Sequence, residues 1–320
     1  MQNVVPLPDA RAIGPVLRRH PQNPILTGRD FPEKFRIQRV FNSGVIRHKG
    51  RYVMACRVED RALRNQIWMA DSDDGLRFTP RPVPLELAPG DAEFAEYTAG
   101  MYYDPRITEI EGVFYLMHAA HSGHGCRLSI VRSADLEHFE WLGFVSETDN
   151  RNGVLFPEKI GGLYARLDRP NTGGEFGDIW VSYSPDLVFW GKSKCVLRNS
   201  QIRWAWAKIG PGAVPIKTPE GWLNIFHGVR WQCKAHYVYQ LGVALHDLED
   251  PSKLIGLCKE AILEPEEPYE LVGQTPSVVF SSGAVVEPSG EVKVYYGGAD
   301  TVMCLATTSI DKLLYACKQL

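Results

Sequence analysis

GVFYLMHAAHSGHGCRLSIVRSADL, residues 112–136, is the stretch that decides the fold. A glycine turn opens it, an alternating β-rich run follows (112–120), and a second run (128–136) closes on an Asp-containing turn. Alternation of this kind marks half-buried strands, and the turns make the pair a hairpin. The unit recurs as GRYVMACR (50–57), GLYARLDR (162–169), GWLNIFHG (221–228) and GEVKVYYGGAD (290–300). The second runs end in IWMADSDDGL, IWVSYSPDL, LGVALHDL and CLATTSIDKL, so Asp74, Asp135, Asp186, Asp247 and Asp311 stand at matching positions. A further short strand precedes each glycine turn: FNSGVI, YDPRIT, LFPEKI, GPGAVPI and SGAVV.

Each unit thus offers three strands, and the linking segment can add a fourth. Five such units imply an all-β fold, a five-bladed β-propeller closed into a ring that leaves few exposed sheet edges. Residues 1–320 are expected to form one propeller domain. The competing architecture is an irregular pair of β-sandwiches. Helix is expected only in RAIGPVLRRH (11–20) and SIDKLLYACKQL (309–320), outside the ring or at a subunit contact, and a homo-oligomer stays open.

Composition fits this reading. The chain has 320 residues, 44% hydrophobic, enough for a sizeable core. A net charge of −3 argues against nucleic acid or an anionic membrane as partner. No apolar run reaches the ~20 residues of a membrane span. The N-terminus lacks the apolar stretch of a secretory signal. Seven scattered cysteines without a CxxC read as free thiols of a cytoplasmic protein, not a zinc site or a disulfide framework. His118, His121 and His124 have a spacing that suits neither a helix face nor strand alternation, so no metal is expected.

In a propeller, equivalent positions of the inner strands converge on one axial funnel. The repeat alignment sets Asp104 level with Ser43, Pro157, Ala213 and Gly283, and sets Arg57, Ala120, Arg169 and His227 level with one another. A carboxylate among small or apolar neighbours is not explained by ring architecture. Arg151, Arg169, Lys208 and His227 together would bind an oxyanion, since guanidinium groups grip phosphate oxygens bidentately and lysine adds a point charge. Tyr239 could add a hydroxyl donor. Tyr102, Tyr103, Trp204, Trp206, Trp222 and Trp231 are the aromatics available to wall a polar funnel, a combination that suits a sugar. The bland alternative is that Trp222 and Tyr103 only pack blades. In a regular strand Arg106 would share a face with Asp104, and pairing there would weaken it as an acid; Pro105 and local twist can instead point it elsewhere, and the sequence leaves that orientation open. Phosphate loops and nucleophile elbows are absent.

The segments FNSG (41–44), RVED (57–60), DPRI (104–107), NGVLFPEK (152–159), DRP (168–170), SYSPDL (182–187), KIGPGAVPIKTPEGWLNIFHGV (208–229), YQLGVALHDLEDP (239–251), PEEPYE (265–270) and YYGGADT (295–301) resemble glycoside hydrolase family 130, the β-mannoside phosphorylases and related mannosidases. The resemblance implies a five-bladed propeller, as the repeats do. It implies Asp104 as the catalytic acid, Asn42, Ser43, Arg57, Asp60 and Asp300 around a mannose unit, and Arg151, Arg169, Lys208, His227 and Tyr239 around phosphate. Tyr103 stands where many members carry Glu and resembles the branch that acts on mannosyl-glucose. The implied reaction is inverting phosphorolysis to α-mannose 1-phosphate, with a mannoside and phosphate as partners and no cofactor. An inverting hydrolase needs two carboxylates, roughly 6.5–9.5 Å apart, to activate water, whereas an anionic phosphate needs one acid and a basic cradle. The basic residues favour the phosphorylase; a non-catalytic sugar-binding propeller is the alternative outside enzymology. Loops 90–101 and 121–126 are expected to shape the leaving-group side.

Overall fold

Period-two alternation resolves into five antiparallel sheets around an axis. The computed structural model describes residues 15–87, 92–97, 101–171, 177–233 and 236–318. Blade 1 runs from Ile37–His48 inside through Arg51–Asp60 and Asn65–Ser72 to Thr79–Pro80. Blade 2 is Met101–Ile110, Val113–Ser122, Gly125–Ser133 and Glu140–Phe144. Blade 3 is Asn150–Leu155, Tyr164–Pro170, Ile179–Ser184 and Gly191–Leu197. Blade 4 has a divided inner edge, Lys208–Pro211 and Ile216–Thr218, both paired with Gly221–Cys233, followed by His236–His246 and Leu254–Leu257. Blade 5 is Val279–Val286, Glu291–Gly298 and Val302–Ser309, with Arg18–Arg19 as its outermost strand. The fold is the all-β, five-bladed propeller that the repeats imply.

The N-terminal expectation is corrected in part. Arg18–Arg19 is a strand, because its backbone pairs with Thr307 and Ala306 and closes the ring; residues 11–14 of the expected helix lie outside the described residues. The C-terminal helix is present as Ile310–Cys317, capped by the Ser309 hydroxyl. The Asp turns also divide. Asp74, Asp135, Asp186 and Asp247 each accept two backbone N–H groups at 2.8–3.0 Å. Asp311 instead sits in the first turn of that helix, where a negative charge suits the helix dipole.

The inner strands carry the feature that positions the site. Register slips by one residue between Phe41 and Gly44, between Tyr103 and Arg106, and between Arg151 and Val154. Each bulge contains a left-handed residue: Asn42 (φ 50°), Asp104 (φ 52°) and Asn152 (φ 59°). Asn and Asp tolerate that region better than other L-residues, and a bulge re-aims its side chain. So the structural counterparts of Asp104 are Asn42 and Asn152, not Ser43 and Pro157, and Ala119, not Ala120, is level with Arg57 and Arg169. The bulges sit at the same place in all three strands and do not cause the mismatch: Ser43 is one residue past Asn42, and Pro157 is five past Asn152, beyond the end of its strand at Leu155.

Crowding at the axis fixes these bulges. A Cβ on Gly44 would lie 2.6 Å from the Pro105 carbonyl oxygen and 2.8 Å from the Arg106 Cα. Arg106, 1% exposed, fills the centre. Its Nε donates to the Gly212 carbonyl at 2.9 Å, its Nη2 to the Pro211 carbonyl at 3.2 Å, and its Nη1 to the Asp104 carbonyl at 2.7 Å. Of the two orientations the sequence leaves open, the structure holds Arg106 on backbone carbonyls and not on the Asp104 carboxylate, because the bulge turns the two side chains apart. Burial lowers the Arg106 pKa to about 10, which leaves the guanidinium charged at neutral pH. It ties blade 2 to blade 4 across the axis.

Candidate active site

At one end of the axis a cavity of about 260 Å³ is lined by Asn42, Arg57, Tyr103, Asp104, Arg151, Arg169, Lys208, Tyr239 and Asp300, together with Met101, His121, Asn152, Val278 and Phe280. Asp104 is 6% exposed and is held from three sides. Arg57 Nη1 and Asn42 Nδ2 donate to its Oδ1 at 2.8 and 3.1 Å, and Asn152 Nδ2 reaches Oδ2 at 3.4 Å. All three bulge residues thus meet in one network. Arg57 is itself oriented by Asn65 Oδ1 at 2.9 Å and lies over the Phe41 and Tyr103 rings, 4.2 and 4.9 Å from their centroids.

The basic side of the cavity comes from blades 3 and 4. Arg151 bonds Asp149 at 2.9 Å. Arg169 Nη1 lies 3.2 Å from His227 Nε2. The Nε atoms of both arginines, and the Oδ1 atoms of Asn42 and Asn152, have no hydrogen-bond partner among the described residues. Lys208 Nζ sits 4.8 Å from the Tyr237 ring centroid and 5.7 Å from that of Tyr239. Burial, then the Arg169, Arg106 and Lys208 cations, push the His227 pKa well below 6.5. The ring is therefore neutral at pH 7, and a neutral imidazole Nε2 accepts from Arg169. Burial raises the Tyr239 phenol to about 12, so its hydroxyl stays protonated. Burial also raises the pKa of Asp300, against the opposing pull of Arg57. The cavity can hold an anion beside a carboxylate without leaving either uncompensated.

Three expected residues are placed elsewhere. Ser43 is fully buried and its hydroxyl donates to the Phe41 carbonyl at 3.2 Å, because it is the middle residue of its bulge and turns away from the cavity. The Asp60 carboxylate accepts from the Ala62 and Arg64 N–H groups at 2.8 and 3.0 Å and from Arg64 Nε at 2.7 Å. It closes the turn after its strand and borders a separate cavity of about 310 Å³. His227, 0% exposed, stands behind Arg169 and packs on Phe280 with ring centroids 4.3 Å apart. Of the aromatics expected to wall the funnel, Tyr103 does so, with its hydroxyl 3.1 Å from Cys126 Sγ. Trp204 stacks on Phe226, Trp222 packs on Phe156, and Trp206 is exposed. The three clustered histidines part company: His118 is buried, His121 lines the cavity, and His124 lies 3.7 Å from Glu96. Residues 121–126 form a tight hairpin between two strands, and part of 90–101 lies outside the described residues.

The family model described as β-1,4-mannooligosaccharide phosphorylase matches residues 16–319. The chain belongs to glycoside hydrolase family 130. Among relatives in this mannoside phosphorylase family, the β-1,4-mannooligosaccharide phosphorylase of Ruminococcus albus is 32% identical over 306 residues, 93% of this chain and 90% of that one. The 4-O-β-D-mannosyl-D-glucose phosphorylase of Bacteroides fragilis is also 32% identical, covering 89% and 76%. The structure of Listeria innocua β-1,2-mannobiose phosphorylase in complex with β-1,2-mannobiose superposes with a TM-score of 0.84 at 28% identity, covering 94% and 99%. No helix among the described residues is long and apolar enough to cross a membrane.

Asn152, His121, Met101, Val278 and Phe280 were not singled out from the sequence as site residues. Asn152 had a readable signal. Asn42–Ser, Asp104–Pro and Asn152–Gly are the same local event, an Asn or Asp followed by a turn-favouring or backbone-restricting residue inside a strand. The apolar three carry no such mark.

Proposed function

We propose that this family 130 member is an inverting phosphorylase of β-mannosides, with residues 1–320 working as one catalytic domain in the cytoplasm. Phosphate held by Arg151, Arg169 and Lys208 attacks the anomeric carbon of the mannose unit. The bond to the leaving sugar breaks, Asp104 gives that oxygen a proton, directly or through a substrate hydroxyl, and the proton is replaced from the phosphate. The products are α-mannose 1-phosphate and the released sugar, and no cofactor takes part. Asn42, Arg57, Tyr103 and Asp300 contact the mannose; His227 and Tyr239 support the phosphate side, His227 through Arg169. The observation that carries the reading is the cavity's charge: four cations line the same 260 Å³ as Asp104, and of these Arg57 bonds Asp104 itself while Arg151, Arg169 and Lys208 form the basic side. A nucleophile that is already an anion needs that cradle and no second base.

For the leaving sugar we propose glucose, on the support of Tyr103 and the NRNGVLFPEK segment; the equal identity to the Ruminococcus albus relative sets β-1,4-manno-oligosaccharides beside it. Asp300 gives the hydrolytic reading its own support, as a second carboxylate in the cavity. Incubation with 4-O-β-D-mannosyl-D-glucose and with β-1,4- and β-1,2-mannobiose, with and without phosphate, decides among these. Mannose 1-phosphate formed only with phosphate, and fastest from mannosyl-glucose, is the expected result. Free mannose regardless of phosphate would replace it with a mannosidase, and binding without turnover with a sugar-binding propeller.

A further inference from the structure

Between blades 2 and 3 lies a second cleft of about 530 Å³, separate from the reaction cavity. Its floor holds a buried ion pair: Arg166 and Asp168 are 3% and 2% exposed, and Arg166 Nε donates to Asp168 Oδ2 at 2.8 Å. Arg166 also bonds the Val145 carbonyl and lies 4.2 Å from the Trp190 ring centroid. Ring architecture does not call for this pair. Strand register puts Cys56, His118 and Tyr296 at the level of Asp168 in blades 1, 2 and 5, and Met54, Leu116 and Val294 at the level of Arg166. Those blades fill the level without an ion pair. Burying one costs desolvation that apolar packing avoids.

Two acceptors of the residues that line the cleft floor are left unfilled. Asn150, 7% exposed, donates its Nδ2 to Asp168 Oδ2 at 3.1 Å, so Oδ2 takes two bonds. Asp168 Oδ1 and Asn150 Oδ1, both buried, accept nothing from any described residue. Buried acceptors of this kind call for donors. The cleft walls add Trp180, Trp190 and Phe189, the last 74% exposed. Unfilled acceptor oxygens among aromatic faces match a ligand with hydroxyl donors on its rim and C–H bonds on its faces. Arg166 already neutralises the carboxylate, which disfavours a metal cation. We propose that the cleft between blades 2 and 3 is a second saccharide-binding site. It neighbours the reaction cavity through one ion pair, because Asp149 borders the cleft and bonds Arg151.

Two sources of sugar fit this chemistry: the distal units of a longer oligosaccharide, or a separate sugar molecule. The test is calorimetric titration of the full chain carrying Asp104→Asn, without phosphate, using β-1,4-mannobiose and β-1,4-mannotriose, with and without Phe189→Ala. Phe189 is exposed enough that its truncation leaves the fold intact, checked by thermal melting. If a separate sugar binds, both ligands show two equivalents and Phe189→Ala removes one. If distal units bind, one equivalent is seen, and Phe189→Ala weakens mannotriose about tenfold, the order of one lost aromatic contact, while sparing mannobiose. Tryptophan fluorescence from Trp180 and Trp190 should respond in either case. One equivalent of each ligand, unchanged by Phe189→Ala, overturns the proposal.

Discussion

Asp104 Oδ1 accepts from Arg57 and Asn42, bonds that an amide oxygen keeps, and Asn152, whose Oδ1 is unpartnered among the described residues, can turn over to accept from an amide N–H at the other position. Asp104→Asn should therefore leave the thermal midpoint near that of the parent while removing the transferable proton. Mannose 1-phosphate formation is expected to fall by roughly 10²–10⁴-fold, the usual worth of a general acid; activity near the parent's would take the role away. His227 acts at one remove. Its neutral Nε2 fixes Arg169, and a hydrogen bond to a charged group is worth about 1.5–3 kcal/mol. His227→Ala should raise the KM for phosphate about tenfold or more, with the KM for the mannoside little changed. Equal effects on both would mean that the ring only packs against Phe280. Most of these side chains were legible in the sequence because a charge in a strand is conspicuous. Ser43 and Asp60, which the resemblance put around the mannose, do not line the cavity, because a bulge and a turn set their orientation.

The inner strands, as elements, show where the repeat stops being legible. Alternation marks which residues are strand, but not where a strand begins and ends or which residue of a bulge faces the axis. The repeat therefore revealed five blades, yet its counterparts for Asp104 lie one residue past Asn42 in blade 1 and beyond the strand end at Leu155 in blade 3. The bulge of blade 1 is wedged against that of blade 2, with Gly44 at the contact. Gly44→Ala would drive a methyl into the Pro105–Arg106 backbone, which cannot give way as a side chain can. The expected cost is about 1–3 kcal/mol in a urea melt. Because the displaced segment carries Asp104, kcat should fall together with stability. A stable, inactive variant would show that the bulge responds more easily than the packing implies.

The whole ring depends on a joint between its two ends. Arg18–Arg19 completes blade 5 beside Val302–Ser309, so segments nearly 300 residues apart share a sheet. The strand is only two residues long, but the segment after it keeps bonding the same neighbour, through the His20 N–H to Leu305, the Asn23 side chain to Leu305, and a bridge between Leu26 and Met303. Arg19 strengthens it from the side. Its Nε and Nη2 each lie 2.8 Å from a Glu270 carboxylate oxygen, and its Nη1 reaches Glu266 at 3.0 Å. The Glu270 side chain is 0% exposed, and its oxygens also accept from the Tyr296 hydroxyl and the Glu266 and Glu267 N–H groups. Removing the guanidinium would leave a carboxylate that is buried and hydrogen-bonded but no longer neutralised. Arg19→Ala should therefore cost about 3 kcal/mol in a urea melt. Glu270→Gln should cost a similar amount, because its amide N–H group would face the Arg19, Glu266 and Glu267 donors that now bond the second carboxylate oxygen. If closure rather than the local pair carries the loss, Arg19→Ala will also speed proteolysis in the outer strands of blade 5, measured under native conditions, while blades 2 and 3 stay protected. Uniform loss of protection around the ring would instead mean that the five blades unfold as one unit and that the joint is no weaker than the rest.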